Sequence, residues 1–333
     1  MRLRDIATAF PPQRTTSKEI VSWTGGDLDF VVDKIGVRTR AFLREDESVV
    51  SLSQQACDKL FECNQQLARE RVKLLVLVTQ NPDNKLPHSS ALLQSALSLD
   101  VGTACFDVSL GCSGYVYALS ITKAFMSAEG ITDGIVVTCD PYSKIMGKAD
   151  RDTVSLFGDA ATATWLSAEA GAEIGKGDYG TDGARGHNLM VKAGGSAKPL
   201  SSLWQEWPAE TAAEDFRLCM NGRAIFNFMM ARVPRSVKRC LDRNGLTMDS
   251  VDYFVFHQAS KFMIENLRAY IGLDALRVPC DITETGNTVS SSIPIVLARM
   301  MDEGALQGKR VLLSGFGVGL SWATNILDFG GSE

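Results

Sequence analysis

FDVSLGCSGYVYALSITKAFM, residues 106 to 126, is the stretch from which the fold is read. An apolar run from Ala104 to Leu110 has strand character, Gly111-Cys112-Ser113-Gly114 forms a tight turn, and Tyr115, Leu119, Thr122 and Met126 continue at helical spacing. Cys112 thus stands at the mouth of a helix. There the unpaired N–H groups and the positive end of the helix dipole favour thiolate over thiol, so a lowered pKa is expected. The flanking glycines permit close backbone approach, letting a substrate carbonyl reach both the sulfur and a backbone N–H. A cysteine taken alone is most often a buried core residue. The strand, glycine turn and helix set this one apart as a nucleophile.

Composition narrows the alternatives. The chain has 333 residues, is 45% hydrophobic and carries a formal net charge of −5. That length supports a large core, and the acidic balance, with no dense Lys/Arg run, argues against nucleic acid as a partner. No apolar stretch approaches a membrane span and the N-terminus MRLRDIATAFPPQ lacks a signal-peptide core, so a cytoplasmic setting without membrane partners is expected. Eight cysteines are scattered without a C-x-x-C pair, which disfavours a metal site and points to reduced thiols. Of three histidines, His88 and His187 fall in polar loop surroundings, which leaves His257 as the candidate for chemistry.

Working outward, the chain repeats itself. Strands are expected over Leu74–Thr79 and Gly134–Cys139 on one side, and over Val251–Phe256, Arg277–Ile282 and Arg310–Leu313 on the other. Pairing Gln80 with His257, Cys112 with Asn287 and Thr138 with Ser314 gives offsets of 177, 175 and 176 residues. Three matched strand ends at one offset point to a duplicated α/β unit. Taken alone, His257 in FVFHQAS reads as a core or capping residue, and Asn287 in TGNTVSSSIP as a turn residue. The shared offset draws both toward Cys112, because ligands collect outside the carboxyl ends of α/β strands. Residues 167–215, rich in Gly, Ala and Ser with Trp204 and Trp207 between, read as a connection carrying a loop or flap.

FDVSLGCSGYVYAL, FVFHQAS, GNTVSSSIP and GFGVGLSW resemble, in order and spacing, motifs of the thiolase-fold ketoacyl synthases of type III, along essentially the whole chain. The resemblance implies a five-layered αβαβα fold of two duplicated halves, 1–170 carrying the nucleophile and 171–333 carrying His and Asn, in a homodimer. It implies that Cys112 takes an acyl group from acyl-CoA. His257 and Asn287 then stabilise the enolate left when a malonyl thioester loses carbon dioxide, in fatty-acid or secondary-metabolite (polyketide) biosynthesis, with no cofactor beyond the thioesters. Backbone N–H groups of Cys112 and Val318 would receive the oxyanion. Phe30 resembles the adenine-stacking position, commonly Trp, with Arg151 across the base; Phe offers less stacking area. Leu86 resembles the residue that closes the neighbouring subunit's acyl pocket.

The chain departs from the pattern at Ser260, where Asn is common, at Phe262, where an Arg would help dock acyl carrier protein, and at Gly111, where a small Ala is usual. Arg223, Lys261 and Arg268 are candidate docking residues for that acidic carrier. The alternatives are acyl transfer to a hydroxyl or amine without decarboxylation, a papain-like protease, and a non-catalytic subunit. The duplicated pattern weighs against the second, and retention of all three polar residues against the third.

Overall fold

The strands run β1 (Arg2–Ala9), β2 (Arg14–Thr16), β3 (Thr39–Ala41), β4 (Val72–Val78), β5 (Ala104–Val108), β6 (Asp133–Cys139) and β7 (Ala161–Ser167). They continue with β8 (Ala172–Ile174), β9 (Asp178–Thr181), β10 (Leu189–Val191), β11 (Leu218–Met220), β12 (Tyr253–Phe256), β13 (Arg310–Gly317) and β14 (Ser321–Asp328). The α-helices are α1 (Ser17–Thr24), α2 (Val49–Cys63), α3 (Ser89–Ala96), α4 (Gly114–Glu129), α5 (Arg151–Val154), α6 (Gly222–Asn244), α7 (Lys261–Ile271) and α8 (Ser292–Asp302). This is a computed structural model and describes residues 1–199 and 214–330; Trp204 and Trp207 lie outside the described residues.

Ten strands join in one sheet, in the order β12-β13-β14-β8-β1-β7-β6-β4-β5, with β9 on β14. The sequence explains the inner ones. VKLLVLV in β4 is apolar at nearly every position because it is parallel to both β5 and β6 and covered on both faces. The sheet curls so that its two arms face each other. Helices α4 and α8 lie between them, α4 against β4, β6, β13 and β14, and α8 against β1, β7 and β12. Outside, α2 and α3 cover the first arm and α6 covers the second with α7 beside it. Five layers, αβαβα, result.

Matching order accompanies the layering: β4, β6 and β7 have their counterparts in β12, β13 and β14, and α4 has its counterpart in α8. The expected strand over 277–282 is absent. Ala275–Arg277 forms a 3-10 turn, and the segment beyond it is held by a side chain instead of a ladder: Gln258 donates to the Pro279 carbonyl and accepts from the Asp281 N–H at 2.7 Å. Pro279 has no N–H to offer a neighbouring strand. The described residues between 167 and 215 hold more structure than a connection. Strand β8 pairs with both β1 and β14, and β9 extends along β14, so the segment joins the two arms. Runs of three or four residues are too short for periodicity to register.

Candidate active site

Cys112 follows β5 and precedes α4, in a turn closed by the Gly114 N–H donating to Gly111 O at 2.7 Å. The end of β13 lies flush against it. A Cβ on Gly315 would sit 2.5 Å from the Cys112 carbonyl oxygen, and one on Gly317 2.8 Å from the sulfur, so both positions require glycine for close approach. Ser113 Oγ and Ser321 Oγ meet at 2.7 Å, and Ser321 donates to Val318 O, pinning one turn to the other. The backbone N–H groups of Cys112 and Val318 pull the thiol pKa down. Burial, reinforced by the nearby Asp140 carboxylate, pushes it up by more. The thiol therefore lies above its ordinary range, correcting the expectation of a lowered pKa: Cys112 is buried, and desolvation outweighs the helix terminus.

His257 directly follows β12, its own N–H donating to Ser314 O at 2.9 Å and its ring meeting Phe316 edge-on at 5.6 Å. Its Nδ1 pairs with Ser292 Oγ at 2.6 Å. When the Ser292 hydroxyl donates to Nδ1, the ring carries its proton on Nε2. Burial lowers the imidazole pKa to about 3, so the ring is neutral throughout the physiological range. Asn287 is fixed by its backbone, with N–H to Leu156 O at 2.9 Å and O accepting from Gly158 N–H at 3.0 Å. Its side-chain oxygen accepts from Val289 N–H at 2.9 Å, and Nδ2 donates to Ala259 O at 3.4 Å. With its oxygen taken, the amide offers its remaining N–H as a donor.

Cys112, His257 and Asn287 line one cavity of about 100 Å³ together with Phe157, Leu189 and Phe316. Leu156, Met220, Gly222 and Ser260 belong both to it and to a surface cleft of about 580 Å³ holding Phe30, Arg151 and Arg223, so the cavity of the sulfur adjoins the surface cleft. Phe30 is 55% exposed, free to stack. Leu86 is 87% exposed and does not line this chain's own cavity. Nor do His88, which precedes α3, and His187, in a 3-10 turn. Among the described residues no group of His, Cys, Asp and Glu is arranged to hold a metal, and no helix is long and apolar enough to cross a membrane.

Sequence reasoning missed what holds these groups. Three consecutive serines at the head of α8 have three different partners at the ends of two strands: Ser290 donates to Asp140 and Ser291 bonds Thr138 Oγ1 at 2.8 Å at the end of β6, and Ser292 meets His257 after β12. In sequence they look like a capping cluster; only the tertiary fold separates their partners.

Known proteins resemble this chain along nearly its whole length. Residues 106–183 match the family model "3-Oxoacyl-[acyl-carrier-protein (ACP)] synthase III" and residues 241–329 match its C-terminal counterpart. The chain is 30% identical to a beta-ketoacyl-[acyl-carrier-protein] synthase III of Streptococcus pneumoniae, over 98% of each. Among solved structures it resembles a 3-oxoacyl-(acyl-carrier-protein) synthase III at 35% identity and TM-score 0.92, covering 98% of this chain and 99% of that one. It also resembles the priming beta-ketosynthase of the R1128 polyketide biosynthetic pathway at 26% identity and TM-score 0.87, covering 98% and 95%.

Proposed function

Because the chain belongs to the 3-oxoacyl-[acyl-carrier-protein] synthase III family, we propose that Cys112 accepts an acyl group from acyl-CoA and passes it to a decarboxylating malonyl thioester. The chain is an acyltransferase of the condensing type. The observation that carries the residue assignment is the one cavity shared by Cys112, His257 and Asn287, adjoining a surface cleft of about 580 Å³.

The thiol attacks the thioester carbonyl, whose oxygen takes up the negative charge against the N–H groups of Cys112 and Val318. Collapse breaks the carbon–sulfur bond to the carrier, which leaves as a thiol with the proton Cys112 gives up. A malonyl thioester then loses carbon dioxide. The electron pair of the broken carbon–carbon bond moves into an enolate whose oxygen is met by His257 Nε2–H and Asn287 Nδ2–H. The carbanion attacks the acyl-enzyme, the same two backbone donors receive the second oxyanion, and Cys112 departs with the 3-oxoacyl thioester formed. A neutral imidazole suits this role, since it donates without neutralising the malonyl carboxylate that must leave. No cofactor beyond the thioesters enters.

Phe30 and Arg151 flank the adenine of coenzyme A at the cleft. Leu86 reaches across a homodimer to the neighbouring acyl pocket, in a cytoplasmic setting. Acyl carrier protein approaches past Arg223 and Lys261; Arg268 is engaged with the Leu273 carbonyl at the end of α7.

The reading is tested by loading the enzyme with acetyl-CoA and adding malonyl-CoA or malonyl-acyl carrier protein labelled in the free carboxyl. Labelled carbon dioxide released in step with acyl discharge supports condensation. Discharge to an amine or alcohol without it would establish the simple transferase instead. The glycine contact gives a sharper check: Gly317→Ala drives a methyl against the sulfur, and a displacement near 1 Å is expected to slow single-turnover acylation about 100-fold.

A further inference from the structure

The two backbone donors that meet the oxyanion come from separate segments: the Cys112 N–H from the turn before α4, and the Val318 N–H from the 3-10 turn Val318–Leu320 between β13 and β14. Their separation decides whether one oxygen can reach both. Val318 has little to hold it from within, because glycines stand on either side of it and Gly319 adopts a φ of +123°.

Ser113 directly follows Cys112 and occupies the N-cap of α4, where a serine oxygen ordinarily accepts from the helix's own N–H groups. It makes no such bond. Its hydroxyl instead meets Ser321 Oγ at 2.7 Å, with both side chains buried. The direction follows from counting protons. The Ser321 hydroxyl has one, which it gives to the Val318 carbonyl at 2.7 Å, so the proton between the two hydroxyls comes from Ser113. The Val318 carbonyl accepts from the Ser321 backbone N–H as well, so one residue orients it through two bonds.

The bonds Ser113 to Ser321 to Val318 thus run from the residue after one oxyanion donor to the residue that bears the other. We propose that Ser113 and Ser321 are positioning residues that set the separation of the two donors. This rests on the reading of Cys112 as the acyl carrier and goes beyond it by assigning two residues that do not line the cavity. Acylation of Cys112 and the carbon–carbon bond-forming step both pass through an oxyanion at these donors. Decarboxylation places its charge at His257 and Asn287 instead, so loss of the clasp slows the first two steps and spares the third.

The test compares wild type, Ser113→Ala, Ser321→Ala and the double variant in two reactions: single-turnover acylation by acetyl-CoA, followed by intact mass, and carbon dioxide release from malonyl-CoA alone. Each single variant is expected to lose about 10- to 100-fold in the maximal acylation rate, less than deletion of an oxyanion donor costs. The double variant should lose no more than either single, because the two hydroxyls form one link. Carbon dioxide release should stay within about twofold of wild type. The infrared carbonyl band of ¹³C-labelled acetyl on Cys112 should move to higher wavenumber in each variant, as a less polarised carbonyl requires. Ser321→Thr, which keeps the hydroxyl, should return the rate and the band toward wild type. If Ser321→Ala does not fold, Ser113→Ala, which leaves Ser321 its bond to Val318, carries the same expectations. Acylation and carbonyl band unmoved in the single variants, additive losses in the double variant, or an equal loss in carbon dioxide release overturns the clasp while leaving the condensing reading intact. No adduct on the wild type overturns the reading of Cys112, and the clasp with it.

Discussion

Cys112→Ala is expected to show no acyl adduct with any thioester and to lose condensation by at least about 10⁴-fold, since the covalent route is removed and no other thiol lines the cavity. Carbon dioxide release from malonyl thioester should survive, because the donors on His257 and Asn287 owe nothing to the sulfur. The wild type carries a second expectation, in its pH dependence. Burial lifts the Cys112 thiol above its ordinary range, so the thiolate fraction is small at neutrality and grows about tenfold per pH unit. Single-turnover acylation should therefore keep climbing between pH 6 and 9. A plateau below pH 7 would mean that the two N–H groups and the terminus of α4 prevail over desolvation.

His257→Ala is expected to cost about 10²- to 10³-fold in decarboxylation by removal of one enolate donor. Acylation should suffer far less, a split resolved by measuring adduct formation and carbon dioxide release separately. The imidazole pKa of about 3 makes the decarboxylation step flat from pH 5 to 8 as far as this group is concerned. The same depression enters stability. The unfolded state takes up the His257 proton near pH 6.5 and the folded state only near 3. Its contribution is therefore fully present above pH 6.5 and is lost progressively as pH falls toward 3. Asp140 and Asp159, raised by burial to about 6, act in the opposite sense. Their stabilisation is present below the ordinary carboxylate pKa and is lost as pH rises through 6. Urea denaturation of wild type and His257→Ala should thus converge in stability as pH drops below 6.5.

The alternation of apolar strands and helices was legible because both periods are local, and the constant offset of Gln80, Cys112 and Thr138 from His257, Asn287 and Ser314 exposed the repeat. Cys112 was found through its strand, glycine turn and helix, His257 and Asn287 through that offset, and the cavity brings the three together. The pKa direction of Cys112 was not legible, because it depends on burial by distant residues such as Phe316 and Gly317. Ser292 and the Ser113–Ser321 pair escaped for a similar reason: their partners lie 35 and 208 residues away, and a serine at the start of a helix or strand carries no mark of its partner. The strand expected over 277–282 failed because Gln258 supplies bonds that a ladder otherwise would.

Strand β8 is three residues long, and Glu173 within it pairs with Arg2 of β1 on one side and Asp328 of β14 on the other. Neither arm of the sheet has a sealed inner edge of its own, so loss of either one strips the other of backbone partners. The two arms are thereby coupled through β8. Cys112 stands on one arm and His257 on the other, with Asn287 on the loop leading into α8. A partly opened molecule that kept a reactive thiol but lost its donors would load acyl groups and spill them to water; the shared strand ties the arm of the thiol to the arm of its donors.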